Sequence, residues 1–256
     1  METIRSAQNP QVKRLRSLLE QGKARRKEQA FVAEGVRLVQ DGLRSGSQPQ
    51  LLALSEELSS RSLELTQEYR AEKQILLEAS LFTSLADTEH SQGILAIFDI
   101  PRLALPEQPS LLLVLDQVRD PGNLGTILRT AEATGVEAVL LPPGTTDAWA
   151  PKVVRAGMGA HFRLPVLNLP WEAIASALEG LQVLHADMAR EISSWEANLR
   201  KPSALLIGGE AEGISQAAAQ LVTQGVRIPM AQGPESLNAA VSAAILLYET
   251  MRQRSQ

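Results

Sequence analysis

The run Leu111-Leu-Leu-Val-Leu115 carries no polar side chain. A strand of this kind offers no face to solvent, so it predicts a place inside a sheet buried on both sides. Downstream, short apolar runs alternate with helical patterns. Strands are expected at 136–141, 163–167, 183–186, 204–207 and 226–228, and helices from about Asn123, at 151–158, at 171–178 and at 236–252. This alternation predicts an α/β fold with a mainly parallel sheet covered on both faces.

A second, shorter α/β pattern precedes it. Val12, Leu15, Leu18 and Leu19 have helical spacing, strands are expected at 31–33, 51–54, 74–77 and 93–98, and helices at 35–42 and 57–71. Prolines at 101, 106 and 109 punctuate the stretch between the two patterns. The expected organisation is therefore a domain at 1–100, a linker at 101–109 and a domain at 110–256. A chain of 256 residues with 44% apolar content can build both cores.

The net charge of −4 hides an asymmetry: residues 1–29 hold eight Lys/Arg against three acids, and the rest of the chain is acidic. A basic N-terminal arm on an acidic body predicts an electrostatic handle for a polyanion. The absence of cysteine excludes disulfide frameworks, thiolate zinc sites and thiol nucleophiles. His90, His161 and His185 are scattered without metal-ligand spacing, so no metal is expected. No secretory signal and no apolar run near the ~20 residues of a membrane helix are seen, and a cytoplasmic protein without a membrane partner is expected.

Three segments carry candidate chemistry. In the first, Asp120-Pro-Gly122 is turn chemistry after a strand, and Asn123 suits the cap of the next helix. Leu124, Ile127, Leu128 and Ala131 form that helix's core stripe, and Arg129 lies off it, one turn after Gly125, which leaves room for a ligand. The second, Gly208-Gly-Glu210-Ala-Glu-Gly213, follows an apolar strand, where ligands bind in parallel sheets. It is neither a dinucleotide fingerprint nor a P-loop. In the third, Ile228-Pro-Met230 leads to Ser236-Leu-Asn238, with Ser236 expected to cap an almost wholly apolar helix and Asn238 to lie in its first turn. A buried amide needs partners, so Asn238 is assigned to a site.

Taken in this order, the three segments resemble the SpoU/TrmH family of RNA ribose 2′-O-methyltransferases, within the SPOUT superfamily. The similarity covers about residues 110–252, and residues 26–97 resemble the ribosomal-protein-like α/β domain often fused ahead of it. The resemblance implies S-adenosylmethionine as cofactor, RNA as substrate, a trefoil-knotted chain end and a homodimer. By position it implies cofactor contacts from Ala186, Gly208, Gly213, Ile228, Met230 and Leu237. It implies a catalytic group of Arg129, Asn123, Glu210, Ser236 and Asn238. Gly209 and Ala211 depart from the family, which often has Asn or Ser at the first and Gly at the second.

Rival readings are set apart by simple features. A nicotinamide oxidoreductase shares the alternation but lacks its glycine fingerprint here. A non-catalytic RNA-binding protein leaves Arg129 and Asn238 unexplained. Within the resemblance, ribosomal RNA is the favoured substrate, because of the separate front domain, and transfer RNA is the alternative.

Overall fold

The computed structural model describes residues 3–69, 73–88, 91–187, 192–209, 213–231 and 236–255. The chain divides into two units, Met1–Pro101 with Trp149–Phe162, and Arg102–Ala148 with Arg163–Gln256. The first break falls at the expected linker. The second differs from expectation, since 149–162 joins the N-terminal unit rather than the C-terminal one.

The first unit runs β1 (Thr3–Ile4), α1 (Pro10–Glu20), α2 (Gly22–Glu28), β2 (Ala30–Glu34), α3 (Val36–Arg44), β3 (Leu51–Ser55), α4 (Ser60–Glu68), β4 (Gln74–Leu77), α5 (Ala79–Thr83) and β5 (Ile94–Asp99). Its sheet has the order β1-β4-β3-β5-β2, with β5 antiparallel to both neighbours. Alternation along β2 explains how both faces are covered. Ala30 and Val32 join Val12, Leu15 and Leu18 of α1, while Phe31 stacks on Phe98, Trp149 and Phe162. Gly42 of α3 admits this aromatic group: a Cβ there would stand 2.7 Å from Phe162 and 2.8 Å from Phe98. The aromatic side of the sheet is thus closed by a segment far away in sequence.

The N-terminal basic residues are not a free arm. The helices α1 and α2 pack on the sheet, and Arg25 is buried, its guanidinium donating to the Leu18 and Leu19 carbonyls at 2.6 and 3.1 Å. Arg14 pairs with Glu28 at 2.7 Å. Lys13, Lys23, Arg26 and Lys27 remain exposed.

After β5 come β6 (Leu111–Asp116), α6 (Pro121–Ala133), β7 (Ala138–Leu141), α7 (Pro151–Ala156, in the first unit), β8 (Val166–Asn168), α8 (Trp171–Ala177), β9 (Gln182–Ala186), β10 (Ser203–Gly208), α9 (Gln216–Ala219), β11 (Gln224–Val226) and α10 (Ala239–Arg254). The second unit's six strands are all parallel, in the order β11-β9-β10-β6-β7-β8. Every residue of β6 is buried, as its composition demands. One face carries Leu112, Val114, Ala204 and Leu206 against Ile174 and Leu178 of α8. Helix α10 packs on β10 and on α6. Strand order reverses between β6 and β10: β7 follows outward on one side, and β9 and β11 on the other. In such sheets a crevice opens at the reversal, beyond the carboxyl ends of the strands.

Both caps beside the expected site differ from the sequence reading. Helix α6 is capped by Asp120, whose carboxylate accepts from the Asn123 N–H at 2.7 Å, with Pro121 in the first turn. Asn123 is therefore inside the helix. Helix α10 is capped by Asn238 rather than Ser236, because the Asn238 Oδ1 accepts from the N–H groups of Ala240 and Val241 at 2.9 and 3.3 Å. Gly125 is itself buried, so it does not open the bay expected beside Arg129.

Candidate active site

A cavity of about 320 Å³ lies at the carboxyl ends of β9 and β10. Its walls are the backbone turns after the two strands (Ala186, Asp187, Gly208, Gly209), the apolar side chains of Ile207, Ile228 and Leu237, and the start of α10. Of the residues assigned to the cofactor, Ala186, Gly208, Gly213, Ile228 and Leu237 line it, and Met230 does not. Of the assigned catalytic residues, Ser236 lines it. Glu210 lies outside the described residues.

The glycines are required by close approach. A Cβ on Gly208 would come within 2.5 Å of the Gly213 carbonyl carbon and oxygen. The turn between them is closed by a reciprocal pair of bonds, Gly209 N–H to the Gly213 carbonyl at 2.9 Å and Gly213 N–H to the Gly209 carbonyl at 3.1 Å. Gly213 has φ +65°, in the left-handed region that favours glycine. Gly209 backs onto the first segment: a Cβ there would lie 2.3 Å from the Gln117 carbonyl oxygen. Gln117 itself has φ 56°. The departure at Gly209 therefore has a local cause, since this backbone admits no side chain at that position.

Asp116 ties the same two loops together. It ends β6 in register with Gly208, is fully buried, and its Oδ2 accepts from the Ser215 N–H at 2.6 Å. Among the described residues its Oδ1 has no hydrogen-bond partner. The sequence reading gave it no role. The signal was present in a carboxylate ending an otherwise apolar strand.

Asn238 joins the third segment to the first. While its Oδ1 caps α10, its Nδ2 donates to the Asn123 Oδ1 at 3.1 Å. The starts of α6 and α10 are thereby held side by side, directly next to Leu237 and Ala239 of the cavity wall. Arg129 stands apart. It is exposed on α6, two turns past Asn123, and is not part of the cavity wall. Asp187 and Ala239 are wall residues that the sequence reading missed. Asp187 follows directly on β9, where the strand-end rule already points.

This combination of an all-parallel sheet, a strand-order reversal and a glycine turn beside a polar helix start defines a class of α/β enzyme with its ligand at the sheet's carboxyl edge. The chain belongs to the SpoU rRNA methylase family, whose model matches residues 110–248. Residues 9–96 match the MRM3-like substrate binding domain. The zebrafish protein "rRNA methyltransferase 3A, mitochondrial" is 36% identical over 90% of this chain, which spans 65% of that protein's length. The Bacillus subtilis protein "23S rRNA (guanosine(2553)-2′-O)-methyltransferase RlmP" is 35% identical, over 97% of this chain and 98% of its own. The AdoMet-bound rRNA methyltransferase from Sinorhizobium meliloti superposes with a TM-score of 0.84 at 31% identity, covering 98% of this chain and 97% of that one.

Proposed function

We propose that the protein transfers a methyl group from S-adenosylmethionine to a ribose 2′-hydroxyl of ribosomal RNA. The observation that carries this reading is the glycine-walled cavity at the carboxyl ends of β9 and β10, one strand from the order reversal and next to the Asn123–Asn238 pair. The cavity suits the cofactor chemically. Gly208, Gly209 and Gly213 expose backbone to a polar ligand, Ile207, Ile228 and Leu237 offer apolar surface to a purine, and Asp187 offers a carboxylate to hydroxyl or ammonium groups.

Bound S-adenosylmethionine supplies a sulfonium methyl open to in-line attack by an oxygen nucleophile. The chain's own work is to align that oxygen and bias its proton. Ser236 stands in the cavity wall, and the amide pair fixes the loop end on which it sits. Arg129 is assigned to an RNA phosphate, which its planar fork can hold through two bonds. A guanidinium does not release its proton in proteins, so this role is positioning and charge stabilisation.

The first unit is assigned to RNA capture, supported by its family match and by exposed Lys13, Lys23, Arg26 and Lys27. We further infer a trefoil-knotted second unit, which family membership supports. A homodimer is supported by the apolar residues that α10 leaves exposed: Val241, Ile245, Tyr248 and Met251. A surface of this kind is typically covered by a partner, and a second copy suits it. Leu246 and Leu247 of the same helix are fully buried within the protomer and belong to its core. Arg129 lies outside its own chain's cavity wall, which favours sites completed near the interface.

The test is transfer of labelled methyl groups to purified RNA classes from the same cell. Label in ribosomal RNA is the expected result. Label in transfer RNA alone would favour the alternative substrate, and no label in any RNA would contradict the reading.

A further inference from the structure

We propose that the first unit reads a base of its RNA substrate, holding one unpaired guanine in a cleft between α3 and the turn after α7. The inference rests on the reading that this unit captures RNA. It gives the unit a means of choosing sequence, which exposed lysines and arginines, as phosphate contacts, do not supply.

The cleft has a volume of about 100 Å³, lies wholly within the first unit and shares no residue with the cavity at β9 and β10. Arg37, Leu38 and Asp41 line it from one face of α3, as their spacing requires. Leu38 and Met158 give it apolar surface. Met158 holds φ 48°, a left-handed conformation that side chains rarely adopt. Next to it, Gly159 makes room for Asp41: a Cβ there would stand 2.8 Å from the Asp41 Oδ2. Asp41 is half-buried, and among the described residues no donor reaches its carboxylate. Arg37, one turn earlier, is exposed, and among the same residues its guanidinium has no acceptor. Gln92 is held by the start of the same helix. Its Oε1 accepts from the Val36 N–H at 2.9 Å, which orients the amide and leaves its NH2 without an acceptor among the described residues. The cleft thus combines an open pair of acceptor atoms on one side chain with open donors on two others.

The charge balance disfavours a phosphate as occupant. Glu34 and Asp41 offset Arg37 and Arg155 in the lining, and Arg155 is already paired with Asp87 at 2.7 Å. Carboxylates repel a phosphate, whereas a base is uncharged. Proteins read the bases of single-stranded RNA by their hydrogen-bonding edges, with other groups packed on the ring faces. Of the four bases, guanine is the one with two neighbouring donors, N1–H and the 2-amino group, which match the two oxygens of the Asp41 carboxylate. Its O6 and N7 are acceptors for the Arg37 fork, and O6 also for the Gln92 amide. Adenine and cytosine offer a carboxylate a single amino group, and uracil a single ring N–H.

The test is fluorescence anisotropy of the full-length protein with labelled oligouridine RNA whose central residue is uridine, guanosine, inosine or adenosine. Guanosine RNA should bind roughly fivefold tighter or more than all-uridine RNA, the low end of what one bidentate pair supplies. Inosine, which lacks the 2-amino group, should lose most of that gain, and adenosine should match uridine. Asp41→Asn replaces one oxygen by an amide NH2, which opposes the guanine donors. In this variant guanosine RNA should weaken to the level of all-uridine RNA, with circular dichroism showing the protein folded. The inosine comparison uses wild-type protein alone, so it stands whether or not the variant folds. Equal affinity of wild-type protein for guanosine and inosine RNA overturns the proposal. So does adenosine RNA bound as tightly as guanosine RNA, or a guanosine preference that persists in folded Asp41→Asn. Wild-type protein that binds none of these RNAs would instead overturn the reading that the first unit captures RNA.

Discussion

Gly208→Ala is the smallest change that should disable the cofactor cavity while leaving the sheet intact. The added methyl would lie 2.5 Å from the carbonyl carbon and oxygen of Gly213 and 2.9 Å from Ile214 Cγ2. Carbon atoms prefer about 3.5–4.0 Å, so the overlap is about 1 Å and falls on backbone, which cannot rotate away. The turn must open, giving up the two reciprocal bonds between Gly209 and Gly213. At about 1 kcal/mol per bond, the closed turn becomes less favourable by about 2 kcal/mol, or roughly thirtyfold in Kd if only the closed form binds. Upstream, Ala204–Ile207 stay buried and paired to β6, and Ala204–Leu206 to β9, so Tm should fall by only about 4–8 °C. Calorimetry with S-adenosylmethionine and a thermal melt would be run on the same preparation. Near-wild-type affinity would refute the argument that this contact shapes the cavity.

Four further outcomes follow from specific contacts. Asn238→Ser should keep a helix cap but lose the reach to Asn123, so stability should stay within about 1 kcal/mol of wild type while methyl transfer falls at least tenfold; denaturant titration and a transfer assay separate the two. Arg254 donates to the carbonyls of Leu199, Ser110 and Lys201 at 2.8–2.9 Å, and Arg254→Ala should cost about 2–3 kcal/mol, read as a Tm lower by roughly 5–10 °C. Replacing Lys23, Arg26 and Lys27 together by alanine should weaken RNA binding and flatten its dependence on salt without altering cofactor affinity, and an unchanged salt slope would show that α2 does not meet phosphate. Ile245→Glu should shift light-scattering mass toward a monomer with the fold retained, whereas charge at buried Leu246 should unfold the protein outright.

The architecture of the second unit is legible because its determinants are local. A run without polar residues at 111–115 can only be an inner strand, and a glycine turn after 204–207 marks the ligand edge. Caps are less legible where candidates crowd. Ser236 and Asn238 are both good caps, and Asp120 and Asn123 compete likewise; Pro121, which favours a helix's first turn, was the readable signal for Asp120. The placement of 149–162 is not legible at all. Its helical pattern announces a helix, but the partners of Trp149 and Phe162 are Phe31 and Phe98, and pairing over such separations leaves no local trace. The same reason hides the bond from Asn238 to Asn123 and the burial of Leu246 and Leu247. Helical spacing places Arg129 off the core stripe, but it cannot say which cavity, or whose, the residue serves.

The central claim is the chemical position of the transferred methyl group. Ribosomal RNA methylated by the purified protein with isotope-labelled S-adenosylmethionine would be digested to nucleosides and resolved by mass spectrometry. The account predicts label on the ribose of a single 2′-O-methylnucleoside, strongly reduced in Gly208→Ala when the cofactor is held near the wild-type Kd. Label on a base, or label undiminished in that variant, would contradict it.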